Sequence, residues 1–165
     1  MLDFHGRMRP VVLAGIFIIL LSAPAHAQTA ARLETLLNKT VVSWSDAAVF
    51  ILEASDAAAD GNQQDLSDPL DAFNFAADKK WLPKNAASGD TARLNGVALL
   101  LMRSFDLKGG IVYSIAKSPH HAYRELVYKG IIRGGTDPDM PVSGQQLLLM
   151  ISKLLSVKEK AEEGV

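Results

Sequence analysis

An internal repeat with a period of 50 residues constrains the fold of this chain more than any other feature of its sequence. Asp68-Pro69 and Ser118-Pro119 lie 50 positions apart, and each pair places a good N-cap residue before a proline. Proline suits the first helical position because the N–H that it lacks has no partner there. Apolar residues follow both pairs in steps of one, three or four, and Gly130 stands where a left-handed residue would end the second copy. The repeat therefore predicts one helix after each proline.

A second helix of the repeat is predicted in three copies, again 50 residues apart. The copies begin near Val42, Ala92 and Val142. Apolar residues after each start keep the same register, which indicates that they occupy equivalent core positions. The matched residues are Ala47-Ala48 and Phe50-Ile51, Val97-Ala98, Leu100-Leu101 and Phe105, and Leu147-Leu148, Met150-Ile151 and Leu155.

Two of these three helix starts carry the spacing of a capping box. Ser43 is followed three residues later by Asp46, and Ser143 is followed three residues later by Gln146. In such a box the serine hydroxyl accepts from the backbone N–H of the third helical residue, whose side chain accepts from the serine N–H. The middle copy has alanine at this point, and the residues expected to cap it instead are Asp90 or Thr91.

Repeats of this length usually cannot bury their apolar faces alone and pack on their neighbours. The sequence therefore predicts an all-α fold, with tandem helix–loop–helix units packed as a small helical bundle of five or six helices. The predicted segments are a signal peptide at 1–27, a half unit at 28–60, full units at 61–107 and 108–157, and a charged tail at 158–165 that frays. The half unit can be completed by another chain, including a second copy, by residues 30–37, or not at all.

The N-terminal residues are typical of a cleavable signal peptide. Arg7 and Arg9 precede an uncharged apolar run at residues 11–21, and Ala25-His26-Ala27 supplies the small residues that signal peptidase needs. We therefore expect export to a periplasm or cell envelope, with cleavage after Ala27 and no membrane span in the mature chain. The alternative is that this run is retained as a membrane anchor.

Composition excludes several classes of function. The chain has no cysteine, so it can form neither disulfides nor thiolate metal sites. With 17 basic and 18 acidic residues and no basic stripe, it is not expected to bind nucleic acid.

The last unit resembles an S-layer-homology repeat. The resemblance rests on a helix that ends in a glycine and two apolar residues, a loop with Gly, Asp and Pro, and a second helix opened by serine. The residues that carry it are Ala122-Tyr123, Leu126, Lys129-Gly130-Ile131-Ile132, Gly134, Asp137, Met140-Pro141 and Val142-Ser143. It extends over residues 68–155 as two units and over 42–54 as a partial one. The Gly-Gly and Tyr-Arg-Glu-Leu stretches also resemble exported spirochaete proteins that carry such units. This resemblance implies a diderm periplasm.

This resemblance implies binding to cell-wall polysaccharide through an arginine at the start of the second helix. A guanidinium group can grip an anionic sugar substituent with two hydrogen bonds. That arginine position holds Trp44, Leu94 and Gly144 here, so the usual ligand motif is not intact in any copy. The residues in or near these stretches that remain candidates for binding a ligand or partner are Trp44, Asp46, Arg93, Asn95, Gln146 and, on the preceding helix, Arg124.

The sequence gives little indication of metal binding or catalysis. His120 and His121 are adjacent on a helix and point about 100° apart, so they are expected to mark a helix start and not a metal site. Asp137-Pro138-Asp139 is expected to form a turn, because no set of alternating oxygen ligands completes a calcium site. Trp81 and Trp44 could stack on sugars or belong to the core. No catalytic motif is present, and no cofactor is expected.

Two functions of different class follow from the sequence. The first is a non-catalytic structural or interaction module that binds another envelope protein or anchors within the envelope. The second is a wall-binding module that grips peptidoglycan or a linked polymer through a non-standard surface. The missing arginines favour the first.

Overall fold

The computed structural model describes residues 23–55 and 66–163, and these ranges contain α-helices and no strand. The prediction of an all-α fold is therefore confirmed for the described chain. Residues 1–22 of the predicted signal peptide, and most of the polar connection after residue 55, lie outside the described ranges. The helices are α1 (Ala23–Leu37), α2 (Trp44–Ala54), α3 (Pro69–Asp78), α4 (Leu94–Ser104), α5 (Ile111–Ile115), α6 (Pro119–Tyr128) and α7 (Gly144–Glu163).

The described residues divide into two compact units, one that ends at Thr35 and one that begins at Leu36. In the first, helix α1 begins at Ala23, upstream of the predicted cleavage site, and Thr35 donates its hydroxyl hydrogen to the carbonyl of Ala31. The second contains helices α2 to α7 and all of the repeat, and the rest of this section concerns it.

The predicted start and stop signals of the first helices are confirmed. Asp68 caps α3 by accepting from the N–H groups of Leu70 and Asp71, and Ser118 caps α6 by accepting from His121. A proline occupies the first turn in both helices. Gly130 ends the segment after α6 with a φ of +72°, a conformation that costs glycine little.

The two predicted capping boxes are also present. The hydroxyl of Ser43 accepts from the Asp46 N–H at 3.1 Å, and a carboxylate oxygen of Asp46 accepts from the Ser43 N–H at 3.0 Å. Ser143 and Gln146 make the same reciprocal pair, at 3.2 and 3.0 Å. Helices α2 and α7 are therefore begun by local hydrogen bonds that the sequence specifies.

The predicted cap of the middle copy is wrong. The N-cap of α4 is Arg93, which makes no side-chain cap, and the Asp90 carboxylate instead accepts from the Ala87 N–H. Backbone carbonyls of the next repeat accept the hydrogen bonds that a cap side chain would otherwise accept. The N–H of Leu94 donates to Met140 O and that of Asn95 to Pro138 O, at 3.0 and 2.8 Å. These bonds satisfy two donors that a helix start would otherwise leave without partners.

Three equivalent residues of the repeat join in a closed set of backbone hydrogen bonds, which we call the backbone triangle. The N–H of Ala92 donates to Val42 O at 2.9 Å, that of Val142 to Ala92 O at 3.0 Å, and that of Val42 to Val142 O at 2.9 Å. All three residues are fully buried. Each of the three residues lies two positions before a second helix, so α2, α4 and α7 begin around a common centre within one chain.

The helices pack around this centre in a repeating way. Helix α2 packs on α3, α4 packs on α6, and α2 also contacts α4 and α7. The equivalent residues Ile51, Leu101 and Ile151 are all buried, which confirms their predicted core positions. Trp81 lies partly buried against the core, where its ring meets that of Phe75 edge-on at 5.8 Å.

The third copy departs from this pattern on one face. Val49 and Leu99 are 1% and 4% exposed, whereas Leu149 at the same register position is 55% exposed. Leu155 was predicted to share the core position of Phe105, and this is wrong, because Leu155 is 41% exposed while Phe105 is 8% exposed. Helix α7 also continues to Glu163, into the segment that the sequence analysis assigns to a frayed tail. Some apolar residues of α7 therefore lie on its solvent-exposed side.

Candidate functional site

A cleft of about 480 Å³ brings together three of the six candidate residues, Trp44, Arg93 and Asn95. Asp139, from the loop between α6 and α7, also lines it. The remaining lining residues are Pro83, Asn85, Ala86, Asp90, Thr91 and Pro119. The cleft thus lies where the start of α2, the start of α4 and two loops meet.

Trp44 forms a packed wall of this cleft. Its side chain is 5% exposed, although it occupies the first position of α2. The indole lies against Gly96, where an added Cβ would come within 2.4 Å of the indole atom Cη2 and 2.8 Å of Pro83 Cγ. Gly96 is therefore required for the close contact of α4 with Trp44. So little of the indole surface is exposed that core packing accounts for its position.

Arg93 and Asn95 fasten the start of α4 to the loop of the following repeat. Arg93 Nη1 donates to the backbone carbonyl of Asp139 at 2.7 Å, and Asn95 Nδ2 donates to the Asp139 carboxylate at 2.7 Å. Both bonds are exposed to solvent, so each adds little to the free energy of unfolding. They hold the two side chains in a fixed position at the rim of the cleft.

The sequence analysis did not single out Asp139 as a site residue. The pairing of position 95 with position 139 is known only from the structure. The 50-residue register then gives the equivalent pairs, Ser45 with Gly89 and Gln145 with Lys39, and neither joins an amide to a carboxylate.

The other three candidates lie apart from the lining of this cleft. Asp46 and Gln146 are partly buried in their capping boxes, and Arg124 is exposed on α6. Asp46 also receives two hydrogen bonds of 2.7 Å from the ammonium group of Lys39. Burial alone would raise the pKa of Asp46, but the hydrogen bonds from Lys39 and Ser43 outweigh it and hold this pKa below its usual range.

Replacing Asp46 by alanine is expected to lower the free energy of unfolding by about 1–2 kcal/mol at pH 7. Because the pKa of Asp46 is lowered on folding, its ionised form stabilises the protein above the unfolded pKa of about 4, and this contribution is lost as pH falls through the folded value. Urea unfolding of Asp46→Ala and of the parent, at pH 7 and at pH 3, measures the difference in their free energies of unfolding.

Gln146→Ala is the matched control, because it removes the same reciprocal bond from the capping box of the third copy without removing a charge. We expect Gln146→Ala to lower the free energy of unfolding by the same amount at both pH values. Asp46→Ala should lower it less at pH 3 than at pH 7. Equal effects of Asp46→Ala at pH 7 and pH 3 would contradict this assignment.

The described residues carry no group of three or more His, Cys, Asp or Glu side chains that could hold a metal ion. The His120 and His121 rings meet edge-on with centroids 5.5 Å apart at the start of α6. Asp137 forms the predicted turn, since its carboxylate accepts from the Asp139 N–H at 2.9 Å. No helix within 23–55 or 66–163 is both long and apolar enough to cross a membrane.

Comparison with known proteins returned no relative. No protein-family model, curated protein or solved structure matches the chain.

Proposed function

We propose that this chain is an exported, non-catalytic interaction module of S-layer-homology-like units that binds another protein of the cell envelope. The backbone triangle is the observation that carries this proposal. It joins three helix starts 50 residues apart, which is the arrangement expected of tandem units that pack as a set. Closure within one chain favours a self-contained scaffold.

The residues at the expected ligand position of each unit support a partner other than the usual sugar. Trp44 and Leu94 are 5% and 3% exposed, and Gly144 is also buried. An arginine that recognises an anionic ligand must reach the surface. In this chain the same three positions are used for packing, so other residues recognise the partner.

The part of α7 around Leu149 is the surface that best fits a protein partner. Leu149 and Leu155 are 55% and 41% exposed on this helix. The equivalent residues Val49 and Leu99 are buried against the repeat's own helices. Protein interfaces commonly bury such aliphatic residues at their centre. Binding of a partner to α7 would give Leu149 the burial that its counterparts have.

The test is a photo-cross-linking group introduced at Ser152, an exposed residue on the same helix. Cross-linking in the native envelope should yield one discrete protein adduct, and Leu149→Asp should abolish it while circular dichroism stays unchanged. Leu70→Asp on α3 is the matched control, because Leu70 is similarly exposed at 53%. Loss of the adduct in both variants, or in neither, would contradict binding through α7.

A second candidate function is binding of cell-wall glycan in the cleft at Trp44, Arg93 and Asn95. The cleft volume of about 480 Å³ lies within the usual range for small-ligand sites, which favours this candidate. Sedimentation with purified cell wall tests it. If the protein pellets and Arg93→Ala abolishes pelleting while Asn95→Ala does not, the guanidinium group binds glycan and the protein-only proposal is wrong. If the protein stays soluble, the glycan proposal is wrong.

A further inference from the structure

Helix α5 presents a cluster of aliphatic side chains to solvent. Ile111, Val112 and Ile115 are 81%, 60% and 83% exposed. Positions that differ by three or four residues, such as Val112 and Ile115 or Ile111 and Ile115, share one side of a helix. Tyr113 points the other way and is 4% exposed, with its ring against Gly109. The helix is thus fixed to the protein by Tyr113 and turns its apolar side outward.

Comparison with the preceding repeat indicates that the fold does not require these aliphatic residues. Residues 61–65 occupy the same register positions and read Gly-Asn-Gln-Gln-Asp, whereas residues 111–115 read Ile-Val-Tyr-Ser-Ile. Both segments connect a second helix to the next first helix. One connection is polar and the other apolar, so the apolar side chains of α5 serve something outside the repeat's own packing.

The charged residues that lie next to α5 along the chain are cations. Lys108 and Lys117 flank the helix and are exposed, and Arg124 follows on α6. No acidic residue occurs between Asp106 and Glu125. The Glu125 carboxylate accepts from the Gly110 N–H at 2.9 Å, so it is engaged at the start of the helix. The aliphatic cluster is therefore bordered by cations along the chain on both sides.

We propose that α5 inserts its aliphatic side into the interface of an anionic lipid membrane. A protruding cluster of isoleucine and valine can enter the boundary between headgroups and acyl chains. Adjacent lysines gain further attraction from anionic headgroups. An aliphatic cluster bordered by cations on both sides complements that surface in both respects. This membrane contact is a function beyond the protein binding proposed above.

The absence of cysteine permits a site-specific test on the full chain. A polarity-sensitive fluorophore on Val112→Cys should shift to the blue with vesicles that contain phosphatidylglycerol, and much less with phosphatidylcholine alone. The same label on Leu70→Cys, on the exposed side of α3, should not shift. This local signal distinguishes insertion of α5 from any binding by the apolar run at residues 11–21.

Two further variants in the labelled Val112→Cys background test the aliphatic and the cationic contributions to vesicle binding separately. Ile111→Ser with Ile115→Ser should lower the apparent affinity about tenfold or more, since two aliphatic side chains no longer enter the lipid. Lys108→Gln with Lys117→Gln should weaken binding to anionic vesicles only. No shift at position 112, an equal shift at position 70, or a shift that appears only when envelope proteins are added to the vesicles would each overturn the proposal.

Discussion

Gly144→Ala is expected to destabilise the protein by about 3 kcal/mol or more and to lower its midpoint of thermal unfolding by about 10 °C or more. An added Cβ at this position would lie 1.7 Å from the carbonyl oxygen of Leu36 and 2.6 Å from its carbonyl carbon. Both are backbone atoms, so no side-chain rotation can relieve the contact. The Gly144 N–H also donates to Lys39 O at 2.9 Å, which holds the same two segments together.

Gly89→Ala is the control for this prediction. No heavy atom lies within 4 Å of the position that its Cβ would take, and its φ is not in the left-handed region. The same change of residue should therefore shift the thermal midpoint by only a few degrees in either direction. If Gly144→Ala behaves like Gly89→Ala in differential scanning calorimetry, the start of α7 does not lie against residue 36.

Leu101→Asp is expected to leave the protein largely unfolded at 25 °C. Leu101 is fully buried on α4, and its counterparts Ile51 and Ile151 are buried as well. An unpaired carboxylate in a packed interior costs several kcal/mol, in addition to the lost apolar contacts. That cost is comparable with the whole free energy of unfolding of a typical domain, about 5–15 kcal/mol. Far-UV circular dichroism and urea unfolding measure the loss of helix.

Leu149→Asp is the matched control, because it introduces the same charge at a leucine that is 55% exposed. Its helix signal and urea midpoint should stay close to those of the parent. Equal unfolding by both variants would show that α7 buries Leu149, and a folded Leu101→Asp would contradict the assignment of α4 to the core.

The features that the sequence predicted best are those determined by neighbouring residues. The Asp68 and Ser118 caps and the Ser43–Asp46 box depend on bonds made within one helical turn. A cap needs little from the rest of the fold, and so its residues can be recognised in the sequence. The middle copy shows the limit of this reasoning, since Leu94 and Asn95 obtain their acceptors from residues more than 40 positions away.

The backbone triangle could not be predicted from residue types. Val42, Ala92 and Val142 are apolar in each copy, which indicates burial but not which backbone groups pair. The repeat brings the three residues into equivalent positions, and their hydrogen bonds follow from the tertiary packing of α2, α4 and α7. The sequence analysis therefore left open how the half unit is completed, and within residues 36–163 the three second-helix starts pair with one another.

The candidate site was predicted in part. Trp44, Arg93 and Asn95 were selected because they stand at helix starts, and the structure places them around one cleft. Their partner Asp139 lies in a loop that sequence reasoning treated only as a turn. Helix α5 was not predicted, because a five-residue helix next to Gly109-Gly110 is too short to show a 3.6-residue period.

Native-state hydrogen exchange of the amides of Val42, Ala92 and Val142 tests the central claim most directly, because the backbone triangle is what joins the three units. All three amides are buried and hydrogen-bonded to one another's carbonyls. We expect them to exchange only through global unfolding, with protection factors within about tenfold of one another. Exchange of any one of them at a rate typical of an exposed loop, while the other two stay protected, would contradict a closed threefold arrangement.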